Sequence, residues 1–398
     1  MENQIITSLL DLDIYKLTMQ DFLFYNAPNA VVKYKFVCRN KDVKLGFLWK
    51  DVADQIRMLE SLRFVEDELA YLDSSPYFHK EYKEWLKNFS LNPKEEVEVD
   101  NVNGDLEITI YGVWRRVILY EVPILAIVNE LYFSNLIRQY TDGGSNWQRV
   151  GIDKLNEKID LLKENPGVKI TEFGTRRRFS KDWQEAVFKK MLNDCPNNMT
   201  GTSNILLAKK YGVVPRGTQA HELFSGYLSI APSIRLAQKY VLSLWLTHFD
   251  TEKGNPLGIA LTDTFTTKAF FNDFTLSLAN GYSGLRHDSG DPILFGESAI
   301  EHYRKLGIDP RTKGIVFSDG LDIPTCIDLY NYFNENIVVS FGVGTNITND
   351  VGLKALNIVI KLIECNDMPC VKISDNVTKA IGDSKMVARV LEIYGVKS

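Results

Sequence analysis

Four short runs, Val168 to Phe173, Leu257 to Asp263, Gly314 to Ser318 and Ile337 to Phe341, are apolar without alternation, and each is succeeded by a helical segment. A strand with one wet face alternates polar and apolar residues, whereas a strand that does not alternate needs cover on both faces. Repeated strand–helix units of this kind specify a parallel sheet under helices. The region from about Val168 is therefore expected to be a β/α barrel or a layered relative of one.

The strand ends carry polar or glycine-rich loops. The segments are Phe173-Gly174-Thr175-Arg176-Arg177-Arg178, Thr262-Asp263-Thr264, Gly284-Leu285-Arg286-His287-Asp288-Ser289-Gly290-Asp291-Pro292, Ser318-Asp319-Gly320 and Gly342-Val343-Gly344-Thr345-Asn346. Any one of them alone reads as a turn. In a barrel, however, such ends share one rim, so the loops converge on a common pocket. The Arg286 segment is the densest and too polar for a core. It reads as a loop that stops at Pro292, before a helix from about Glu297 to Leu306.

Glycine-rich turns at helix starts bind phosphate through backbone N–H groups, which suits Ser318, Asp319 and Gly320 and also Gly342, Gly344 and Thr345. Arg176 and Arg286 can each grip a phosphate or carboxylate in bidentate fashion, while Arg177 and Arg178 are assigned to the surface. His221, in Gly217-Thr218-Gln219-Ala220-His221-Glu222, sits where a strand from Val213 hands over to a helix. A neutral imidazole there can act as acid, base or phosphoryl acceptor; a packed structural histidine is the competing reading. His287 is read as a supporting residue.

The first 120 residues differ in texture. A helix is expected over residues 12–25, with Asp11 and Asp13 at its start, where acidic groups suit the helix dipole. Val32 to Val37, Glu96 to Asp100, and Leu106, Ile108 and Ile110 alternate with polar residues, as half-exposed antiparallel strands do. Helices around Lys50 to Leu62 and Phe78 to Leu86 complete an α+β domain. Ile124 to Ile137 is apolar on nearly every face and should join two domains as a buried helix. At 398 residues the chain exceeds one ordinary core. The expected division is 1–125, 126–350 and 351–398, the last returning to the first domain through strands at Leu356 to Glu364 and Cys370 to Ser374.

Helix boundaries are also marked. Ser180 is expected to cap Lys181 to Leu192, and Ser203 to cap Asn204 to Tyr211, with Gly212 as the stop. Pro232 should open a helix with Leu236, Tyr240, Leu244 and His248 on one apolar ladder, His248 being packed in the core. His79 and His302 are placed on surface helices.

A net charge of −5 without a basic tract argues against a nucleic-acid-binding surface and for a small anionic substrate held by a few arginines. The apolar run Val117 to Val128 is broken by Glu121 and Pro123, short of the ~18 residues of a membrane span. The start of the chain lacks a signal-peptide pattern. Five scattered cysteines read as reduced thiols, so a cytoplasmic protein is expected.

Taken together, Thr7 to Met19, Phe173 to Arg177, Gly201-Thr202-Ser203-Asn204, Gly217 to Glu222, the Arg286 segment and Gly342 to Asp350 resemble the nicotinate phosphoribosyltransferase family, in the family's order and over nearly the whole chain. The resemblance implies the type II phosphoribosyltransferase fold, an irregular α/β barrel beside an N-terminal α+β domain. It implies an enzyme that joins nicotinate to the ribose of phosphoribosyl pyrophosphate, with ATP as co-substrate and Mg²⁺ as cofactor, in NAD salvage. It also implies a homodimer with a shared active site.

Position by position, the resemblance makes Phe173 and Tyr15 the aromatic pair around the pyridine ring, Tyr15 reaching in from a second subunit. Arg286 meets the nicotinate carboxylate, and Arg176 and Asp13 are further substrate-binding residues. Ser203 stands where nicotinamide-using relatives carry an acid. His221 is the phosphorylated histidine, Asp263 and Asp288 lie at the ribose and Mg²⁺-pyrophosphate, and Ser318, Asp319, Gly320, Gly342, Gly344 and Thr345 cradle the 5′-phosphate. Rival readings are a nicotinamide or quinolinate enzyme of the same fold and a non-catalytic sugar-phosphate sensor.

Overall fold

The computed structural model describes residues 4–139, 146–250, 257–375, 380 and 382–396. Its strands, in chain order, are β1 (Val31–Cys38), β2 (Val97–Val102), β3 (Asp105–Val113), β4 (Ile170–Glu172), β5 (Met199–Thr202), β6 (Ile259–Leu261), β7 (Gly284–His287), β8 (Gly314–Phe317), β9 (Val338–Val343), β10 (Ile358–Cys365) and β11 (Met368–Pro369). Among the described residues they form an antiparallel sheet, ordered β11-β10-β1-β3-β2, and a parallel sheet, ordered β5-β4-β9-β8-β7-β6.

The antiparallel sheet arises from alternation. On β1, Val32, Tyr34 and Phe36 are buried while Lys35 faces solvent, and on β3 the buried set is Leu106, Ile108 and Ile110. Tyr34 pairs with Ile110 on one side and Leu362 on the other, which brings the last long strand, β10, against the first.

The parallel strands are short and covered on both faces, and their outer members do not pair directly. The segment 215–219 bridges them instead. Arg216 N donates to Thr202 O (2.8 Å), Thr218 Oγ1 donates to Ile259 O (2.9 Å), and Leu261 N donates to Gln219 Oε1 (3.2 Å). On the β6 side two side chains thus take the place of a backbone ladder. The result is an irregular α/β barrel, and the closing segment delivers the chain directly to His221 at the start of the helix His221–Gly226.

The helix Glu121–Gln139 packs against the helix Trp49–Met58, the turn Thr175–Arg177 and β10. With the turns before it, the stretch Trp114–Gln139 is long and apolar enough to cross a membrane, a length the expectation of a short apolar run missed. In the fold, 72% of that apolar window is buried inside the protein, so it serves as a core helix.

Several local expectations need correction. Gly284–His287 is a strand rather than a loop, because Gly284 to His287 pair in register with Gly314 to Phe317; the loop begins at Asp288. The next helix starts at Pro292, with Asp291 Oδ1 accepting from Ile293 N and Leu294 N. Ser180 does cap its helix, accepting from Trp183 N at 3.1 Å. Ser203 does not: Asn204 caps Ile205–Tyr211, and the Ser203 hydroxyl turns to Asp13.

The Pro232 helix begins only at Ala237, after a 3-10 turn at Ile234–Leu236. Its buried face carries Val241, Leu242, Trp245 and Phe249, whereas Leu236 and Tyr240 are exposed. Arg178 is not at the surface. It is fully buried, bidentate to Asp11 (2.7 and 3.0 Å) and bonded to Glu130 (2.8 Å).

Candidate active site

The C-terminal ends of the parallel strands open on a cavity of about 780 Å³. Phe173, Arg176, His221, Arg286, Asp288, the Ser318-Asp319-Gly320 turn, and Gly342, Gly344 and Thr345 all line it. The separated polar segments of the sequence therefore do meet around one space.

His221 is the most heavily engaged of them. Its Nε2 lies 2.8 Å from Asp288 Oδ2 and 2.7 Å from Lys372 Nζ, and its Nδ1 lies 3.0 Å from Thr264 Oγ1. Burial, with the Lys372 ammonium beside it, pushes the imidazole below its ordinary pKa, although Asp263 and Asp288 act in the opposite direction. The ring is thus neutral near pH 7, the state in which a nitrogen lone pair is available.

Burial alone would raise Asp288, but the Arg286 guanidinium, His221 and Lys372 hold it well below the usual carboxylate range. Arg286, on β7, donates from Nε to Ser318 Oγ (3.0 Å) and from Nη1 to Gln219 O (2.9 Å), and its Nη2 lies 3.2 Å from Asp288 Oδ1. A guanidinium has five N–H donors. Arg286 therefore keeps donors on Nη1 and Nη2 for an incoming anion.

Phe173 explains the glycines opposite it. A Cβ on Gly342 would come within 2.5 Å of the Phe173 ring, and one on Gly344 within 3.0 Å of the Phe173 carbonyl oxygen. The ring lies directly on the Gly342 backbone, and a side chain there would displace it. Gly344 also caps the short helix Thr345–Thr348. The turn at Ser318 to Gly320 is different: the helix after it starts at Ile323 under an Asp322 cap, so this turn is not itself the helix start.

The remaining predicted residues stand behind the cavity wall. Asp263 is buried. It accepts from Ser289 Oγ at 2.6 Å, and its Oδ1 lies 3.7 Å from His221 Nε2 with no hydrogen-bond partner among the described residues. Asp13 accepts from Ser203 Oγ (2.7 Å) and lies 3.7 Å from Arg176 Nε. It starts the first helix, Ile14–Asn26, without a side-chain cap bond. Tyr15 is buried with the Arg176 guanidinium 5.9 Å from its ring centre, and no ring contact joins it to Phe173 among the described residues. His287 is buried between Phe295 and Phe317, with neither ring nitrogen hydrogen-bonded among the described residues.

Sequence reasoning missed three groups. Lys372 reaches His221 from the segment after β11, where its signal was a lone cation in the apolar run Cys370 to Ile373. Lys16, on the first helix, is fully buried between Glu121 and Glu222. Tyr34 Oη donates to the same Glu222 (2.6 Å), tying the residue after His221 to the antiparallel sheet. Glu172, at the end of β4, accepts from Thr202 Oγ1 (2.5 Å) and Gln184 Nε2 (3.1 Å), and burial pushes its pKa up to about 6. No spacing rule in the sequence links these partners.

His221, Asp263 and Asp288 present ligand atoms within 4.8 Å of one another. The two carboxylates, one with a free buried oxygen, fit a hard cation such as Mg²⁺, which takes oxygen ligands and keeps several waters.

Barrel, closing segment and cavity together define a type II phosphoribosyltransferase. Models of the nicotinate phosphoribosyltransferase (NAPRTase) family match residues 168–398, and the model of that family's N-terminal domain matches residues 10–129. A nicotinate phosphoribosyltransferase of Shigella boydii serotype 18 is 41% identical over 394 residues, covering 97% of this chain and 95% of the relative, and one of Salmonella typhimurium matches equally. The crystal structure of a nicotinate phosphoribosyltransferase from Vibrio cholerae superposes with a TM-score of 0.92 at 36% identity, over 100% of this chain and 95% of that one. One from Porphyromonas gingivalis gives 0.91 at 33%, over 98% and 100%. The chain belongs to the nicotinate phosphoribosyltransferase family.

Proposed function

We propose that the protein transfers the phosphoribosyl group of phosphoribosyl pyrophosphate to nicotinate, forming nicotinate mononucleotide and pyrophosphate for NAD salvage, with ATP hydrolysis coupled through a phosphohistidine at His221. One observation carries this reading: a neutral histidine, held by Asp288, Thr264 and Lys372, lies in the same cavity as Phe173, Arg286 and the glycine turns.

In the ATP half-reaction the imidazole lone pair attacks the γ-phosphorus, the bond to the bridging oxygen breaks, and ADP leaves with that electron pair. The Asp288 carboxylate balances the charge that develops on the ring. In the transfer half-reaction the pyridine nitrogen displaces pyrophosphate from the ribose anomeric carbon through an oxocarbenium-like transition state. Phe173 holds the ring by stacking, and Arg286 meets the carboxylate through a charge-assisted contact that a neutral amide matches less well. Tyr15 of a second subunit would supply the opposite face of the ring in a homodimer. Asp263 and Asp288 would hold Mg²⁺, which supplies charge neutralisation on the pyrophosphate. The turns Ser318 to Gly320 and Gly342 to Thr345 would hold the 5′-phosphate through backbone N–H groups.

The acid rather than the amide is favoured by charge: Arg176 and Arg286 both line the cavity. Ser203 brings no charge of its own, and burial raises the pKa of its partner Asp13 despite Arg176.

Incubation with γ-labelled ATP tests the assignment. Acid-labile label should appear on the protein and vanish in H221N, which keeps slow, ATP-independent transfer. Full ATP coupling in H221N would defeat the phosphohistidine, and no label on the wild-type protein would point to a sensor.

A further inference from the structure

Outside this cavity, three elements distant in sequence bring a second set of titratable groups together. Asp21 lies on the first helix, His79 precedes the helix Lys80–Leu86, and His248 lies in the last turn of Ala237–Phe249. His79 Nδ1 is 3.1 Å from Asp21 Oδ2, and His248 Nε2 is 3.6 Å from Asp21 Oδ1. Asp21 is wholly buried and the His248 side chain is 8% exposed; Asp21 Oδ1 and His248 Nε2 face each other at 3.6 Å, beyond hydrogen-bond distance, and neither has a closer partner among the described residues. Unsatisfied buried polar atoms cost about 1–3 kcal/mol each, so two facing one another call for an explanation.

Ligands at about 2.0–2.1 Å around a tetrahedral ion stand about 3.3 Å apart, and the His79–Asp21 and His248–Asp21 separations of 3.1 and 3.6 Å, each to a different carboxylate oxygen, lie on either side of that value. The three ligand atoms lie within 4.8 Å of one another, and the two imidazole rings are 4.3 Å apart. The His79 backbone N–H also donates to Asp21 Oδ2 (3.1 Å), fixing that carboxylate. We propose that Asp21, His79 and His248 form a binding site for a divalent transition-metal ion of the zinc class, distinct from the Mg²⁺ of the catalytic cavity. Two imidazoles and one carboxylate suit zinc-class ions, whereas Mg²⁺ prefers oxygen ligands. The His79 side chain, 38% exposed, leaves the fourth position open to water and gives the ion its way in. Bound there, the metal pins the first helix, which carries Asp13, Tyr15 and Lys16, to two others.

Chelator-treated full-length protein titrated with Co²⁺ should show the visible d–d absorption of a four-coordinate ion at one equivalent, and Zn²⁺ should displace it. H79Q, a change at a partly exposed residue, should keep the native far-UV spectrum and weaken Co²⁺ binding more than tenfold. It should also abolish the rise in melting temperature that Zn²⁺ gives the wild type. Ions held in the catalytic cavity contribute equally to both proteins, so the difference isolates this site. If H248Q folds, it should behave as H79Q does; otherwise H79Q decides alone. The absence of saturable Co²⁺ absorption in the wild type, or indistinguishable titrations of wild type and H79Q, overturns the proposal.

Discussion

Arg286 shows how one side chain serves both the fold and the site. Its bonds to Ser318 and Gln219 O and its pairing with Asp288 hold the guanidinium plane fixed, so the free N–H groups are already oriented before a substrate arrives. R286A should raise KM for nicotinate about 10- to 100-fold, the value of a charge-assisted hydrogen bond, while nicotinamide remains as poor a substrate as before. Steady-state kinetics with both pyridines check this, and unchanged nicotinate kinetics would remove Arg286 from the role. Glu172 titrates where pH can read it. Its folded pKa of about 6 lies above the ordinary 4.5. The folded state therefore binds the proton more tightly, and ionisation works against folding: stability falls as pH rises from about 4.5 to about 6 and is level above. The shift corresponds to about 2 kcal/mol. The difference in unfolding free energy between wild type and E172Q, measured by urea titration across pH, should show that fall, and a pH-independent difference would contradict it.

At the scale of elements, legibility tracked whether a pattern repeats. The alternation on β1 and β3 and the mostly apolar runs of β6, β8 and β9 were visible because burial on one face or two leaves its mark in the residues. The strand β7 was hidden because Arg286 and His287 interrupt its apolar character just where it reaches the cavity. Barrel closure by Thr218 and Gln219 was equally invisible, since it relies on side-chain bonds between positions some 40 residues apart. The same holds for Arg178: with Arg177 it reads as a surface residue, but Asp11 and Glu130 wait for it in the interior. R178M should cost about 3–5 kcal/mol, because it leaves two buried carboxylates without their cation. Urea denaturation gives the number, and a loss below about 1 kcal/mol, the range of an exposed pair, would show that water reaches the cluster.

Over the whole molecule, the active cavity draws on both sheets. His221 comes directly after the segment that closes the barrel, Glu222 beside it is bonded to Tyr34 of β1, and Lys372 arrives from the segment after β11. Cutting the chain between the sheets would therefore separate groups that line or support one cavity. The glycine turns, the histidine and the arginines are the groups on which the proposed reaction rests: phosphoribosyl transfer to a pyridine acid, coupled to ATP. The direct test is to measure mononucleotide formation by the purified protein from nicotinate, nicotinamide and quinolinate, each with phosphoribosyl pyrophosphate and Mg²⁺, with and without ATP. Product from nicotinate alone among the three, with ATP raising its yield, is the predicted result; equal turnover of nicotinamide, or no mononucleotide from nicotinate under either condition, would contradict the account.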